Sequence, residues 1–158
     1  MLSPWSAFYG GTPVQGFRFF VMFVDNNRIP RVFDTRFSKV SGISVGVEEK
    51  TFQSGGQTRF ANRTRSVKSV KYNPLVLTRG MPMISLLRME LEQVIQYAKR
   101  STFSIFLLLL DESGLPSAAW QFERARPVKW QISEFDASNS GPVIETIELS
   151  YERYNRLL

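Results

Sequence analysis

The chain has 158 residues, no cysteine and no histidine, and its 20 basic and 14 acidic residues give a net charge of +6. Those absences exclude disulfides, thiolate nucleophiles, Cys/His zinc sites and every Ser-His or Cys-His catalytic arrangement. The length and a hydrophobic content of 43% fit one domain over 1–158 with its own apolar core, while the positive balance admits nucleic acid or an acidic protein as a partner.

The opening MLSPWSAFYGG lacks a basic region followed by a long apolar segment, so no signal peptide is expected. The runs FRFFVMFV (Phe17–Val24) and LLLL (Leu107–Leu110) fall well short of the roughly 20 apolar residues of a membrane helix. Synthesis in the cytoplasm without stable membrane insertion is therefore predicted.

Phe17–Val24, bounded by Gly16 and the turn-forming Asp25-Asn26-Asn27, reads as a first strand. Large apolar groups on both of its faces predict a central strand, or one buried against a neighbouring subunit. Arg36–Phe52 places Phe37, Val40, Ile43, Val45 and Val47 around Gly42 and Gly46, as in a bent or bulged strand pair. Gln53–Ser69 is polar, basic and poor in large apolar residues, which predicts a long loop or an arm that orders only against something else. Its SGGQT lacks the Lys-Ser/Thr ending of a phosphate loop. From Arg59 to Arg79, the residues Arg59, Arg63, Arg65, Lys68, Lys71 and Arg79 have no acidic residue among them, so this stretch reads as a solvated or partner-facing positive segment.

Val70–Thr78 resumes apolar character around Pro74, which predicts an edge or bulged strand. Pro82–Arg100 is the predicted helix: Ile84, Leu87, Leu91, Val94, Ile95 and Ala98 recur near a 3.6 period, and Lys99-Arg100 complement the negative end of the helix dipole. Phe103–Leu110 then forms a strand and Asp111–Gly114 a tight turn, with Ala118–Ala125 returning. There Ala119, Gln121, Glu123 and Ala125 alternate with Ala118, Trp120, Phe122 and Arg124, and Pro127 predicts a corner before Val128, Trp130 and Ile132. After the loop Asp136–Pro142, a last strand Val143–Tyr154 places Val143, Glu145, Ile147, Leu149 and Tyr151 on one face. One helix among roughly seven strands makes a mainly β domain.

The chemistry-bearing residues do not converge in this reading. Adjacent Asp111 and Glu112 belong to a solvated turn, and Glu145 and Glu148 split between the faces of a strand. Asp34, Glu48, Glu49, Asp136 and Asn139 fall outside the alternating pattern of a calcium loop. Trp120, Phe122, Trp130 and Tyr151 read as core or subunit contacts rather than a platform for bases. No catalytic, cofactor-binding or metal-binding residue is expected, and no enzyme.

Six segments in order carry a resemblance: FRFFVMFVD (Phe17–Asp25), FSKVSGISVGVEE (Phe37–Glu49), Gly55-Gly56, YNPLVLTRG (Tyr72–Gly80), LLLLDESGLPSAAWQFERARPVKW (Leu107–Trp130) and DASNSGPVIETIELSYE (Asp136–Glu152). Over nearly its whole length the chain resembles the tail-tube proteins of contractile phage tails and of phage-tail-derived extracellular contractile injection systems. The resemblance implies a single β-barrel or β-sandwich-like domain with one flanking α-helix, and a long inter-subunit arm at 48–69. It further implies homo-hexameric rings that stack into a hollow tube, a sheath that contracts around it, a baseplate hub, tube-initiator or terminator proteins, and effector or DNA cargo in the lumen. Such a subunit assembles in the cytoplasm and ends in a virion or in a released or membrane-anchored injection particle.

The leading reading is a structural subunit of the inner tube, and two departures mark the alternative, a tube-initiator or baseplate adaptor ring of the same machine. The helix lacks the tryptophan-bearing version common in tube subunits, and the chain finishes in YERYNRLL. A reading of another class is a solitary basic β-barrel module that binds nucleic acid or acidic protein through Arg59–Arg79.

Overall fold

The computed structural model describes residues 16, 18–25, 30–31, 36–52 and 64–158. Features expected at the opening segment, Phe17, Asn26, Asn27, Asp34 and residues 53–63 lie outside them.

The centre of the fold is a hairpin of β7 (Phe103–Leu110) and β8 (Pro116–Ile132). Its turn forms where Asp111 Oδ1 accepts from the backbone N–H groups of Ser113 (2.8 Å) and Leu115 (2.9 Å). Gly114 at φ +78° supplies the left-handed residue that the reversal needs. On the other side of β7 runs β1 (Phe19–Asp25), antiparallel, with Val21 opposite Leu107 and Phe23 opposite Ile105. These four face inward and are buried. The short β2 (Pro30–Arg31) pairs with the far edge of β1, so β1 has a strand on each side.

β8 is one strand of 17 residues that changes partner midway. Ile105 is opposite Phe122 and Phe103 is opposite Ala125, so three residues of β8 advance against two of β7. Arg124, at φ 50°, is the extra residue of this bulge. The period-2 reading put Phe122 and Ala125 on opposite faces, but the bulge turns both into the core. A second irregularity between Pro127 and Lys129 marks the predicted corner, where β8 runs along β9 (Ile144–Ser150) with Trp130 opposite Ile147. β10 (Arg153–Arg156) pairs with the first half of β8, Tyr154 opposite Phe122. The predicted final strand is therefore two strands separated at Tyr151-Glu152.

The sheet continues from β9 to β6 (Leu75–Gly80), with Leu77 opposite Ile147, and from β6 to β3 (Lys39–Ser41). Its path, β2-β1-β7-β8-β9-β6-β3, is antiparallel throughout among the described residues and carries one helix beside it, which is the mainly β architecture expected. The two ends face each other: Phe23 of β1 meets Phe37, just before β3, at 6.1 Å between ring centroids. Val21, Phe23, Leu75, Leu77, Ile105, Phe122, Ile147 and Leu149 form one buried cluster between them. Buried apolar area of this kind is the main stabilising term, near 25 cal/mol per Å2.

The helix α1 spans Leu86–Gln96, shorter than predicted at both ends. Ser85 caps it, its Oγ accepting from Arg88 N–H at 3.0 Å. Leu87, Leu91 and Val94 are its buried face. Ile84 precedes the cap and is 84% exposed, and Ile95 is exposed. Ala98 at φ 49° breaks the helical backbone, so Lys99-Arg100 lie beyond the last turn rather than within it.

Candidate functional site

Four surfaces and clusters bear on what the domain does. The first is a two-stranded ribbon made of β4 (Val45–Phe52) and β5 (Thr64–Tyr72), which among the described residues pair only with each other. It prolongs the β3–β6 pair: Val40 is opposite Leu77 before the bend and Val45 is opposite Tyr72 after it. Gly42 at φ +91° makes the bend, and a Cβ there would overlap the carbonyl oxygen of Pro74. The expected bent strand pair is thus present. Gln53–Ser69, predicted as a loop or arm, and the 48–69 arm that the resemblance implies enter and leave as ladder-paired strand on both sides of 53–63.

Beyond the bend the ribbon has two unlike faces. Val45, Val47 and Val70 share one face and are 50%, 56% and 50% exposed, with Val47 directly opposite Val70. At the root of this face Tyr72 packs on Tyr151 and Tyr154, at 5.5 and 5.8 Å between centroids. The opposite face is polar. Lys71 Nζ reaches Glu48 Oε1 at 3.2 Å, and Ser69 Oγ donates to Glu48 Oε2 at 3.1 Å. The Lys71 hydrogen bond, then that from Ser69, hold the Glu48 carboxyl below its ordinary range.

The second surface is the outer face of β1 and β7. Phe20 lies opposite Leu108 and Met22 opposite Phe106, four large apolar side chains turned away from the core and only partly covered. The third is the exposed side of β8, β9 and β10, which carries cross-strand ion pairs: Arg153–Glu123 at 2.6 Å, Arg124–Glu152 at 3.2 Å and Lys129–Glu148 at 3.3 Å. Arg126 and Arg156, also exposed there, bond the Ser150 hydroxyl and the Leu158 main-chain oxygen, so this side keeps a positive excess.

The fourth is a buried polar cluster that the sequence reading missed. Arg79, expected in the solvated basic segment, is 4% exposed. Its Nε donates to Glu145 Oε2 at 2.7 Å and its Nη2 to Ser85 Oγ at 2.8 Å, and its guanidinium lies 5.1 Å from the centroid of Phe37. Trp130 Nε1 donates to Glu145 Oε1 at 2.8 Å. Since Ser85 also caps α1, the cluster fastens the helix to β6, β8 and β9. A signal was available: Leu75, Leu77 and Arg79 share one face of β6, Glu145, Ile147 and Leu149 share one face of β9, and the two apolar rows end in opposite charges.

The remaining polar candidates stay apart. Glu145 and Glu148 do take opposite faces, and Asp111 stitches its own turn. Asp136 accepts from Ser138 Oγ (2.6 Å) and N–H (2.9 Å), which lower its pKa in that order, and Asn139 Oδ1 accepts from Gly141 N–H at 3.1 Å. Both oxygens are committed to local turns. Of the aromatics, Phe122 and Tyr151 pack edge to face in the core at 5.0 Å, and Trp120 and Trp130 pack against its margin. They do not form a platform for bases.

The described residues form a mainly β domain with one capped helix and a projecting ribbon. Residues 15–155 match the family described as T4-like virus tail tube protein gp19, and the chain belongs to that family. The resemblance carried by the six segments is borne out, and the protein is a structural component, not an enzyme. Among solved structures, a chain of the 6-fold symmetrised baseplate of the anti-feeding prophage is 31% identical, with a TM-score of 0.80 over 93% of this chain and 97% of that one. A chain of the sheath-tube complex of PVC, an extracellular contractile injection system in its extended state, is 19% identical, with a TM-score of 0.75 over 99% and 97%. A chain of the tube-terminating cap of the anti-feeding prophage is 19% identical, with a TM-score of 0.73 over 92% and 91%. No curated protein matches the chain.

Proposed function

We propose that this chain forms the ring at the baseplate end of the inner tube of a contractile injection particle, joining the hub below to the stacked tube above. One observation carries the choice: identity is 31% to the anti-feeding prophage baseplate chain and 19% to the sheath-tube chain, although both matches cover nearly the whole domain. A ring subunit of the tube body would be expected to share more residues with the second. The domain suits a conduit wall because α1 covers one side of its core and three ion pairs on the exposed β8–β10 side neutralise part of the positive charge there.

In this reading six copies close a ring, rings of related subunits stack upon it, and contraction of a separate sheath drives the tube outward with effector or DNA inside. The second reading, a subunit of the tube body itself, is supported by the 99% coverage against the sheath-tube chain. A monomeric basic module for nucleic acid loses support from the burial of Arg79 and the pairing of Lys71.

Copy number in purified particles separates the readings. Quantitative mass spectrometry should find this chain far below the sheath in abundance if it makes one ring, and near parity with it if it builds the tube. Absence from the particles would sink both.

A further inference from the structure

The antiparallel pairing of β7 with β8 brings two basic segments together. Phe103 is opposite Ala125, so the residues just before Phe103 run beside those just after Ala125. Ala98, with its left-handed backbone at φ 49°, turns the chain out of α1, and Lys99 and Arg100 come to line one cleft with Arg126. The cleft measures about 610 Å3, within the roughly 300–1,000 Å3 of ligand pockets. Its apolar lining is Val94 and Pro127, both buried, and Val128, which is 48% exposed. No acidic residue lines it among the described residues.

Charge sets this cleft apart. Among the described residues, ion pairs engage Lys71, Arg79, Arg88, Arg124, Lys129 and Arg153. Lys99 and Arg100 have no carboxylate partner there, and Arg126 reaches only the hydroxyl of Ser150, at 3.4 Å. Three like charges around one opening repel each other, and a ligand that carries negative charge relieves that repulsion. Inside the charged rim the lining is apolar. An apolar centre within a polar rim is the layout of a contact between proteins, whereas a groove for nucleic acid strings its cations along the path of the phosphates.

We propose that this cleft seats an acidic segment of a different protein of the particle, with carboxylates on Lys99, Arg100 and Arg126 and one apolar side chain against Val94, Pro127 and Val128. The inference rests on the particle reading and deepens it by naming the chemistry of a partner. A second copy of this chain fits poorly: at +6 it is repelled, and its exposed Glu123, Glu148 and Glu152 already face cations of their own. Guanidinium groups grip a carboxylate with two parallel hydrogen bonds. Arg100 and Arg126 therefore orient the segment, and Lys99 adds a point charge.

Zero-length coupling reads this contact directly. In purified particles a water-soluble carbodiimide joins a lysine to a carboxylate that touches it: an amide forms, and one carboxylate oxygen and two ammonium hydrogens leave on the carbodiimide as its urea. Lys71–Glu48 and Lys129–Glu148, at 3.2 and 3.3 Å, are internal controls within the chain. Lys99 should couple to an Asp or Glu in an acidic stretch of another protein, identified by mass spectrometry of the digest. Arg100→Glu/Arg126→Glu should lower that product on the order of tenfold or more, because like charges across a contact are strongly unfavourable. The same variant should keep the circular dichroism and melting of the wild type, and Arg100→Lys/Arg126→Lys should retain most of the product. Three results would overturn the contact and leave the ring reading intact: Lys99 uncoupled while both controls react, Lys99 coupled only to this chain or another copy of it, or coupling undiminished in the glutamate variant. Absence of the chain from the particles would overturn both.

Discussion

Arg79 Nε and Glu145 Oε2 lie 2.7 Å apart with their side chains 5% and 0% exposed, so a full ion pair is held inside the domain where strand β6 meets β9. The cost of taking both charges from water is offset in part by Ser85, which accepts from Arg79 Nη2, and by Trp130, which donates to Glu145 Oε1. Removing one partner strands the other. Arg79→Met or Glu145→Leu should each cost about 3–5 kcal/mol, whereas the double variant should cost clearly less than the sum of the two. Urea unfolding of the three proteins measures this, and additive losses would show that the pair is not coupled.

The bend at Gly42 predicts a different kind of damage. Gly42→Ala must place a Cβ against the Pro74 carbonyl and hold a left-handed backbone, at about 1–3 kcal/mol for the strained conformation. Its melting temperature should fall, while Gly141→Ala, whose Cβ would meet only the side chain of Asn139, should change little. Paired thermal melts give the comparison. Equal melts for the two variants would mean that the bend is not where the ribbon is constrained.

Along the helix, burial separates residues that the 3.6-residue period had grouped together. Leu91 is 0% exposed and Ile84 is 84% exposed. Leu91→Ala should cost about 2–5 kcal/mol, and Leu91→Asp should prevent soluble expression by burying a charge. Ile84→Ala should stay within about 0.5 kcal/mol. Denaturant midpoints decide, and a large loss at Ile84 would return it to the buried face.

Tyr151 gives a pH dependence. Burial, then the neighbouring Tyr154 and Tyr72, raise its phenol above the usual value of about 10. A raised folded value means that the native state keeps a proton the unfolded chain releases. Its contribution is therefore fully present below pH about 10 and is lost as pH rises through the folded value. Tyr151→Phe should remove part of the fall in stability above pH 10 and leave stability at pH 7 to 8 little changed. Unfolding free energies across the alkaline range test the sign, and an unchanged slope would count against it.

Much of this architecture is legible in the residues. The bounds of β7, the Asp111–Gly114 turn, the inward row of Glu145, Ile147, Leu149 and Tyr151, and the bend at Gly42 all follow from period and turn chemistry. What escaped was long-range. A bulge at Arg124 shifts face by one residue, and composition does not reveal which single residue will take a left-handed backbone. The partnership of Arg79 with Glu145 joins positions 66 residues apart, and only the β6–β9 ladder brings them together. For the same reason Arg79 looked like part of a basic run: charge counted along the chain ignores which face of a strand each residue takes. The candidate surfaces were visible as the arm and the doubly apolar first strand, but the two unlike faces of the ribbon needed its register.

β8 gives the subunit a mechanical grain. Hydrogen bonds grip this 17-residue strand to β7 along its first half, to β9 along its second, and to β10 between Trp120 and Glu123. A force applied along its axis must shear those ladders together, while a force across it peels them one bond at a time. In an assembly that is pushed from behind, the orientation of this one strand relative to the thrust decides whether the wall yields as a zipper or resists as a beam.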